Sequence, residues 1–169
     1  MNVLERIRPA LGDLAARSTT SQEGTLVLEI EAKDAHDAIA RLRDACGFET
    51  CTFVTAVDRF PAEPRFEVLW QLHSIRNNER VRLRARVEGA NPKVPTIVDL
   101  YPGAAFSERE CFDMFGVVFE GHRGLKRLLM PEGYDHFPLR KDFPHQGIEP
   151  DRLYRAWDAR RHQKAEGGP

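Results

Sequence analysis

The spacing of apolar residues predicts two helices and four strands in the first half of the chain. Apolar residues recur at helical spacing over residues 3–16 and 35–46; Asp34 precedes the second run as an N-cap, and Gly47 ends it. Residues 17–24 are predicted to be a polar connection. Alternation of apolar and polar residues then predicts the strands. The alternating positions are Leu26, Leu28 and Ile30; Cys51, Phe53, Thr55 and Val57; Phe66, Val68, Trp70 and Leu72; and Val81, Leu83, Ala85 and Val87.

Turn-forming residues connect the last three strands into an antiparallel sheet. Pro61 and Pro64 bracket one turn, and Asn77 and Asn78 stand at the next, where asparagine tolerates the positive φ of a hairpin turn. One sheet face then lies on the core, with the helices packed beneath it. The sequence therefore predicts an α+β fold. It consists of an N-terminal helix, a β-α-β-β-β core with a mostly antiparallel sheet, a short capped helix and an extended docking segment bracketed by prolines.

These elements divide the chain into three parts of a single structural domain. The core covers residues 1–103 and ends in an irregular, proline-containing link with a short helical piece near residues 97–100. Residues 104–149 hold the capped helix and the docking segment, packed on the core, and residues 150–169 hold a C-terminal helix and its tail. A chain of this length and apolar content is the size of one domain.

The capped helix is predicted to begin at Ser107. Ser107 is a good N-cap, and Glu110 three residues later completes a capping box. Gly116 ends the helix as a left-handed cap. Asp113 lies near the negative C-terminal end and needs a cationic partner, for which Arg109, one turn earlier, is the nearest candidate.

The docking segment, residues 138–144, follows. Its two prolines bias the preceding residues to extended geometry, so the charged residues between them cannot join a helix. Such loops often carry function, and guanidinium forks make bidentate contacts that fix a partner's orientation. The alternative is a loop in which Asp142 neutralises its own neighbours. We predict a partner interface made of Glu108, Arg109, Glu110, Asp113, His122, Arg140, Lys141 and Asp142.

Five short motifs follow one another in this part of the chain. They are Glu108-Arg109-Glu110, Asp113-Met114-Phe115-Gly116, Phe119-Glu120-Gly121-His122, Leu125-Lys126-Arg127-Leu128-Leu129 and Pro138-Leu139-Arg140-Lys141-Asp142-Phe143-Pro144. Their order and spacing resemble the signature of the C subunit family of NADH–quinone oxidoreductase, the 30-kilodalton subunit of respiratory complex I. A weaker resemblance covers residues 48–101. The chain departs from the family pattern at Arg123, where proline is usual, and at Phe106, where tryptophan is usual.

The resemblance implies a structural and assembly role in the hydrophilic arm of a complex that passes electrons from NADH to quinone and couples this to ion translocation. Such a complex uses FMN, iron–sulfur clusters, NADH and quinone, and the resemblance implies that this chain binds none of them. Its partners would be the large quinone-site subunit and the subunit that carries the terminal iron–sulfur cluster. Its location would be peripheral, on the cytoplasmic side of the bacterial inner membrane.

Composition narrows the function classes further. With 25 basic and 26 acidic residues, bulk attraction to nucleic acid or anionic lipid is weak. Three cysteines without a CxxC pair suit neither a disulfide framework nor an iron–sulfur cluster, and the histidines match no common zinc spacing. No run approaches the roughly 20 apolar residues of a membrane helix, so we expect a chain that is soluble by itself. We therefore predict no catalytic, cofactor-binding or metal-binding residue.

Two alternatives stay open. Similar subunits occur in membrane-bound hydrogenases and related ion-pumping complexes, whose input is not NADH. The second alternative rests on Arg80, Arg82, Arg84 and Arg86, which share one face of the fourth strand. This arginine face is either a solvated surface that blocks aggregation, an interface for an acidic partner, or the grip of a stand-alone RNA-binding module.

Overall fold

A sheet of five strands, with two helices packed against one face, forms the base of the fold. The computed structural model describes residues 3–15, 17–21 and 24–146. The helices are α1 (Val3–Leu11), α2 (Ala35–Cys46) and α3 (Ala104–Phe115). The strands are β1 (Arg17–Thr20), β2 (Leu26–Ile30), β3 (Thr50–Asp58), β4 (Phe66–Ser74), β5 (Glu79–Val87), β6 (Lys93–Pro95) and β7 (Val118–Glu120).

The strand order of the larger sheet is β1-β2-β5-β4-β3. Strands β3, β4 and β5 are antiparallel neighbours, as the turn residues predict, and Asn78 takes a φ of 49° in the hairpin between β4 and β5. β2 lies parallel to β5 and antiparallel to β1. The α+β class with a mostly antiparallel sheet is therefore confirmed.

The core lies between this sheet and helices α1 and α2, and buried residues of α3, among them Cys111 and Met114, belong to the same cluster. Every apolar position predicted for β4 and β5 is buried, with Trp70 and Leu83 fully so. They form one cluster with Ile7 of α1 and with Ile39 and Leu42 of α2. Burial of these side chains removes apolar surface from water, which is the main favourable contribution to folding.

Two strands differ from the sequence prediction. The polar connection expected at residues 17–24 contains β1, an edge strand whose pairing with β2 needs backbone groups rather than apolar side chains. In β3, the register shifts between Cys51 and Phe53. Because one extra residue reverses the alternation, Val54 and Ala56 are the buried positions, and Phe53 lies on the opposite face.

The link after β5 and the start of α3 also differ from the prediction. The link contains β6, which pairs in parallel with β7. Gly103 is the N-cap of α3, so Ser107 lies inside the helix and the capping box does not form. The left-handed cap at the other end is present, since Gly116 has a φ of 77°. One turn of backbone hydrogen bonds at Ile97 stands where the helical piece is predicted.

Within residues 3–15, 17–21 and 24–146, no helix is both long enough and apolar enough to cross a membrane. The helix predicted from residue 150 onwards lies outside the described residues.

Candidate docking surface

Asp113, fully buried on α3, binds the loop that follows β7. Its Oδ2 accepts hydrogen bonds from three successive backbone N–H groups, those of Leu128 (3.0 Å), Leu129 (2.7 Å) and Met130 (2.8 Å). Its Oδ1 accepts a hydrogen bond of 2.7 Å from Nη1 of Arg127. Burial by itself raises the pKa of this carboxyl, but the donors outweigh burial and hold the pKa of Asp113 below its usual range.

The cation that pairs with Asp113 is Arg127, whereas the helical spacing predicts Arg109. Arg109 instead donates hydrogen bonds to the carbonyl oxygens of Lys126 (3.2 Å) and Arg127 (3.0 Å). The guanidinium of Arg127 also lies 5.2 Å from the ring centroid of Phe137. The two arginines and Asp113 therefore fix the conformation of the loop after β7 together.

Glu108 is the second fully buried carboxylate on α3, and its hydrogen-bond donors are neutral. The hydroxyl of Thr96 donates to Oε2 at 2.5 Å, and the N–H of Ile97 donates to Oε1 at 2.8 Å. Burial raises the pKa of Glu108, and these two donors offset only part of the shift. Glu108 therefore attaches α3 to the segment after β6 and lies beyond the reach of a partner.

Arg65, which no local sequence pattern singles out, holds the docking segment on the core. Its Nε and Nη2 donate to the two carboxylate oxygens of Asp58 at 2.9 and 2.8 Å. Its Nη1 and Nη2 donate to Asp142 at 2.9 and 2.8 Å. The N–H of Lys141 donates to Oδ2 of Asp58 at 2.8 Å. One guanidinium thus joins the end of β3, the start of β4 and the docking segment.

The electrostatic effect of this cluster is strong. Burial raises the pKa of Asp58, but the hydrogen bonds from Arg65 and from two backbone N–H groups outweigh it and bring the pKa to about 2. The hydrogen bond from Arg65 also lowers the pKa of Asp142. Both carboxylates are consequently ionised at neutral pH, and the cluster carries one negative charge more than Arg65 alone can neutralise.

Arg140 contributes to packing. Its Nε donates to the carbonyl oxygen of Phe115 at 2.6 Å, and its guanidinium lies 4.3 Å from the ring centroid of Phe137 and 5.2 Å from that of Phe66. Gly116 makes this approach possible, because a Cβ there would stand 2.7 Å from the Phe137 ring and would also overlap Arg140. Arg140 therefore binds the docking segment to the C-terminal end of α3.

The docking segment is folded into turns, whereas its prolines predict an extended chain. The N–H of Arg140 donates to the carbonyl of Phe137 at 3.1 Å, and the N–H of Phe143 donates to that of Arg140 at 3.0 Å. The N–H of Leu139 donates to the carbonyl of Met114 at 3.2 Å. The first turn has Pro138 at its second position, where proline is favoured, so the prolines are compatible with turns, and the bond to Met114 attaches the segment to α3.

This framework leaves a set of side chains in solvent, which we call the docking surface: Phe60, Leu129, Leu139, Lys141 and Asp142. Leu129 is 59% exposed and Leu139 is 54% exposed. The N–H groups of Phe60 and Lys141 bind the same carboxylate, that of Asp58. The N–H groups of Leu129 and Leu139 bind consecutive residues of α3. The shared anchors hold the backbones of Phe60 and Lys141 at Asp58, and those of Leu129 and Leu139 at the C-terminal end of α3.

The residues predicted for the partner interface fall into three classes of exposure. Glu110, Lys141 and Asp142 are exposed, while Glu108 and Asp113 are buried. Arg109, His122 and Arg140 are half-buried. Nδ1 of His122 accepts the N–H of Gly124 at 3.0 Å, so Nε2 carries the proton and donates to the carbonyl of Ala105 at 3.3 Å. His122 thus bridges a loop to α3.

The cysteines do not fit an iron–sulfur cluster. Cys46 and Cys111 are buried, Cys51 is partly buried, and all three are free thiols. Burial raises the pKa of each thiol, that of Cys51 to about 12, whereas cluster ligation needs about four thiolates. In the part of the chain that the structure describes, no group of three or more His, Cys, Asp or Glu residues is placed to hold a metal ion.

Residues 28–149 match the family model described as "Respiratory-chain NADH dehydrogenase, 30 Kd subunit". The NADH-quinone oxidoreductase C subunit of Roseiflexus sp. (strain RS-1) is 42% identical over 144 residues, which are 84% of this chain and 82% of that protein. The NADH-quinone oxidoreductase C/D 2 subunit of Aquifex aeolicus (strain VF5) is 52% identical over 96 residues, which are 56% of this chain and 16% of that protein.

Solved structures share the fold. The trypsin-resistant fragment (1–134) of Nqo5 has a TM-score of 0.63 and 29% identity, over 71% of this chain and 99% of that one. A chain of the membrane-bound sulfane sulfur reductase, an archaeal respiratory membrane complex, has a TM-score of 0.72 and 24% identity, over 91% of this chain and 89% of that one. The shared fold and the matching family model together define the class of respiratory-chain subunits. Within that class, this chain belongs to the family of the 30-kilodalton subunit of respiratory-chain NADH dehydrogenase, a hydrophilic-arm subunit of NADH–quinone oxidoreductase.

Proposed function

We propose that this chain is a structural subunit that binds neighbouring subunits through the docking surface and carries no redox centre of its own. The observation that supports docking is the anchoring of the docking segment by Arg65 to Asp58 and Asp142. Because the segment is held in turns before any partner arrives, less conformational entropy is lost on binding. Exposed Leu139 and Lys141 then offer an apolar contact and a charge in a fixed geometry.

The proposal of a non-catalytic role has a separate basis. Protonated, buried thiols are poor cluster ligands, and Glu108 and Asp113 are occupied by hydrogen bonds that hold α3 in place. The FMN and iron–sulfur clusters of the complex are then bound by other subunits. In this proposal the chain supports electron transfer from NADH to quinone by holding those subunits in fixed positions relative to one another.

The partner that we propose first is the large quinone-site subunit. The Aquifex aeolicus relative is named as a combined C/D subunit, and this chain matches only 16% of it. The C and D parts of that relative are joined in one polypeptide and are therefore held close together. We propose that this chain lies equally close to the large quinone-site subunit as a separate chain. We further propose the terminal iron–sulfur subunit as a neighbour and the cytoplasmic side of the membrane as the location.

The test uses a double substitution of exposed residues, Leu139→Asp with Lys141→Glu, in the intact complex purified through a tag on another hydrophilic-arm subunit. The matched control is Ile75→Asp with Arg76→Glu, because this pair is also exposed and apolar-basic but lies at the hairpin between β4 and β5. We expect the first pair to reduce recovery of this chain in the complex about tenfold or more, since misplaced like charges at an interface cost several kcal/mol.

The control pair should leave recovery and NADH–quinone activity within about twofold, since surface substitutions usually change stability by under about 0.5 kcal/mol. Thermal unfolding of the free chain checks that both variants fold. Equal recovery of the two variants would contradict the proposed docking surface. A redox centre in the isolated, purified chain would contradict the non-catalytic role.

A further inference from the structure

The second face of the large sheet is built differently from the core face. The register places Arg82, Gln71 and Phe53 in one row across β5, β4 and β3, and Arg84, Leu69 and Thr55 in the next. Val27 and Glu29 of β2 complete these rows. This surface contains Arg80, Arg82, Arg84 and Arg86 and is therefore the arginine face. The apolar residues of α1, α2 and α3 form one core cluster with the side chains of the opposite face, such as Trp70 and Leu83.

The arginine face has fewer carboxylates than guanidiniums. Glu67, which is 4% exposed, pairs with Arg59 at 2.8 Å, with Arg86 at 3.2 Å and with Arg84 at 3.9 Å. Glu29 pairs with Arg84. The excess positive charge remains at the other end of β5, where no carboxylate of the described residues forms an ion pair with Arg80 or Arg82.

Arg82 is held in a fixed position at that end. Its Nε donates to Oε1 of Gln71 at 2.8 Å, and its guanidinium lies 5.7 Å from the ring centroid of Phe53. Gln71 is 4% exposed and neutral, so it orients the guanidinium without neutralising it. An incoming carboxylate can bind this guanidinium with little loss of conformational entropy, because the cation is already held in place beside half-buried apolar side chains.

We propose that the arginine face is a second docking surface, which binds an acidic protein segment at Arg80 and Arg82. This goes beyond the docking surface at the end of α3 and involves different residues. Like charges along one strand repel, and carboxylates of a partner would remove that repulsion. The chain's own residues 147–169 have more basic than acidic side chains, so their charge does not suit this face.

A protein segment fits this face better than a nucleic acid does. Proteins bind single-stranded nucleic acids by stacking the bases on exposed aromatic rings. Here the guanidinium of Arg82 lies over the Phe53 ring. The rows that hold Arg82 and Arg84 also contain the apolar residues Val27 and Leu69, which suit contacts with protein side chains better than contacts with phosphates. The net charge of the whole chain is −1, so no long-range field attracts a polyanion.

The test places a photo-activated cross-linker at Thr19 in the intact complex. Thr19 is exposed and pairs with Val27, so it reports on the arginine face and leaves every arginine in place. A cross-linker at Leu139 reports on the docking surface in parallel. We expect Thr19 to cross-link to a segment of another subunit that is rich in Asp and Glu. The cross-linked peptides are identified by mass spectrometry.

Charge reversal makes the test quantitative. Arg80→Glu with Arg82→Glu should reduce the Thr19 cross-link yield about tenfold, and the neutral pair Arg80→Gln with Arg82→Gln about threefold. The control, Arg41→Glu with Arg76→Glu, changes the net charge equally at exposed positions away from this face and should leave the yield unchanged. Thermal unfolding of each variant checks the fold.

Four results would overturn the inference: no cross-link from Thr19 while Leu139 cross-links, a cross-link to RNA, a cross-link to residues 147–169 of the same chain, or a partner segment without excess acidic residues. If Leu139 gives no cross-link and Thr19 does, the docking surface fails and the arginine face stands.

Discussion

Glu108 and Asp113 are both fully buried on α3, yet their surroundings shift their pKa values in opposite directions. Asp113 receives three backbone N–H groups and a guanidinium, whereas Glu108 receives one N–H and one hydroxyl. The charge is therefore stabilised in Asp113 and destabilised in Glu108. Burial alone does not decide what a carboxylate contributes to stability; the number and charge of its donors do.

We expect Asp113→Asn and Glu108→Gln to have different effects on the free energy of unfolding. Asp113→Asn should lower it by about 2–4 kcal/mol at pH 7, because Arg127 loses its partner and an amide cannot accept four hydrogen bonds equally well. Glu108→Gln should change it by less than about 1 kcal/mol at pH 5, since the amide can still accept from Ile97 and donate to Thr96. Urea unfolding measures both, with exposed Glu110→Gln as the control.

The pH dependence follows from the sign of each shift. A carboxyl whose folded pKa is raised contributes full stability below its unfolded pKa, about 4.3 for Glu, and loses it as the pH rises through the folded pKa. The wild type should therefore lose stability relative to Glu108→Gln as the pH rises above about 4.3. A difference that stays constant from pH 4 upward would contradict an elevated pKa at Glu108.

At the scale of elements, two helix ends differ only in what surrounds them. Gly47 ends α2 with a φ of 67° and has no atom within 4 Å of an added Cβ, while Gly116 ends α3 with a φ of 77° against Phe137 and Arg140. The positive φ alone accounts for a glycine at both positions. At Gly116, the close approach of the docking segment is a second requirement.

We expect Gly47→Ala to cost about 1 kcal/mol of unfolding free energy, the cost of a left-handed alanine. Gly116→Ala should cost about 1–3 kcal/mol more, because the Phe137 ring and the Arg140 side chain must move. Near-ultraviolet circular dichroism and chemical denaturation report the aromatic packing and the stability. Equal costs at the two glycines would mean that the docking segment does not press on the end of α3.

The alternation of apolar and polar residues, together with the turn residues, predicts β4, β5 and their hairpin. The prediction succeeds there because every second side chain is buried, which the local sequence shows. They miss β1, whose residues Arg17–Thr20 carry no apolar signal, and they assign the wrong face to Phe53, since a bulge cannot be read from periodicity. α3 begins at Ala104 and not at Ser107, so Ser107 and Glu110 match the pattern of a capping box inside the helix, where the pattern does not mark a boundary.

The site is less predictable than the fold because its bonds are long-range. The signature residues are visible in the sequence, and so is the need of Asp113 for a cation. The partner, Arg127, comes from a loop fourteen residues later, which helical spacing cannot indicate. Asp58 and Arg65 flank the turn between Pro61 and Pro64, and nothing local connects them to the docking segment.

Across the whole molecule, the Arg65 cluster is the connection between the sheet and the docking segment. Asp142 lies 77 residues after Arg65 in the chain, so their hydrogen bonds close a long loop. The entropy of closing such a loop grows only slowly with its length. Three tethers at the same region, from Asp142, Lys141 and Arg140, therefore reinforce one another once the first has formed.

We expect Asp142→Ala to release the docking segment locally. Hydrogen bonds to charged groups contribute about 1.5–3 kcal/mol, so the backbone amides of Leu139, Lys141 and Phe143 should exchange with deuterium about tenfold faster or more. Amides of β4 should exchange at the wild-type rate, because Arg65 keeps its two bonds to Asp58. Asp135→Ala, at an exposed position in the preceding loop, is the matched control.

Arg65→Met separates this local release from a general loss of stability. It leaves Asp58 buried without a cation, which costs about 3–5 kcal/mol, so exchange in β3 and β4 should rise together with exchange in the docking segment. If Asp142→Ala and Asp135→Ala gave the same exchange rates, the ion pair would not be what holds the segment. The turns and the Arg140 packing would then suffice to present Leu139 and Lys141 to a partner.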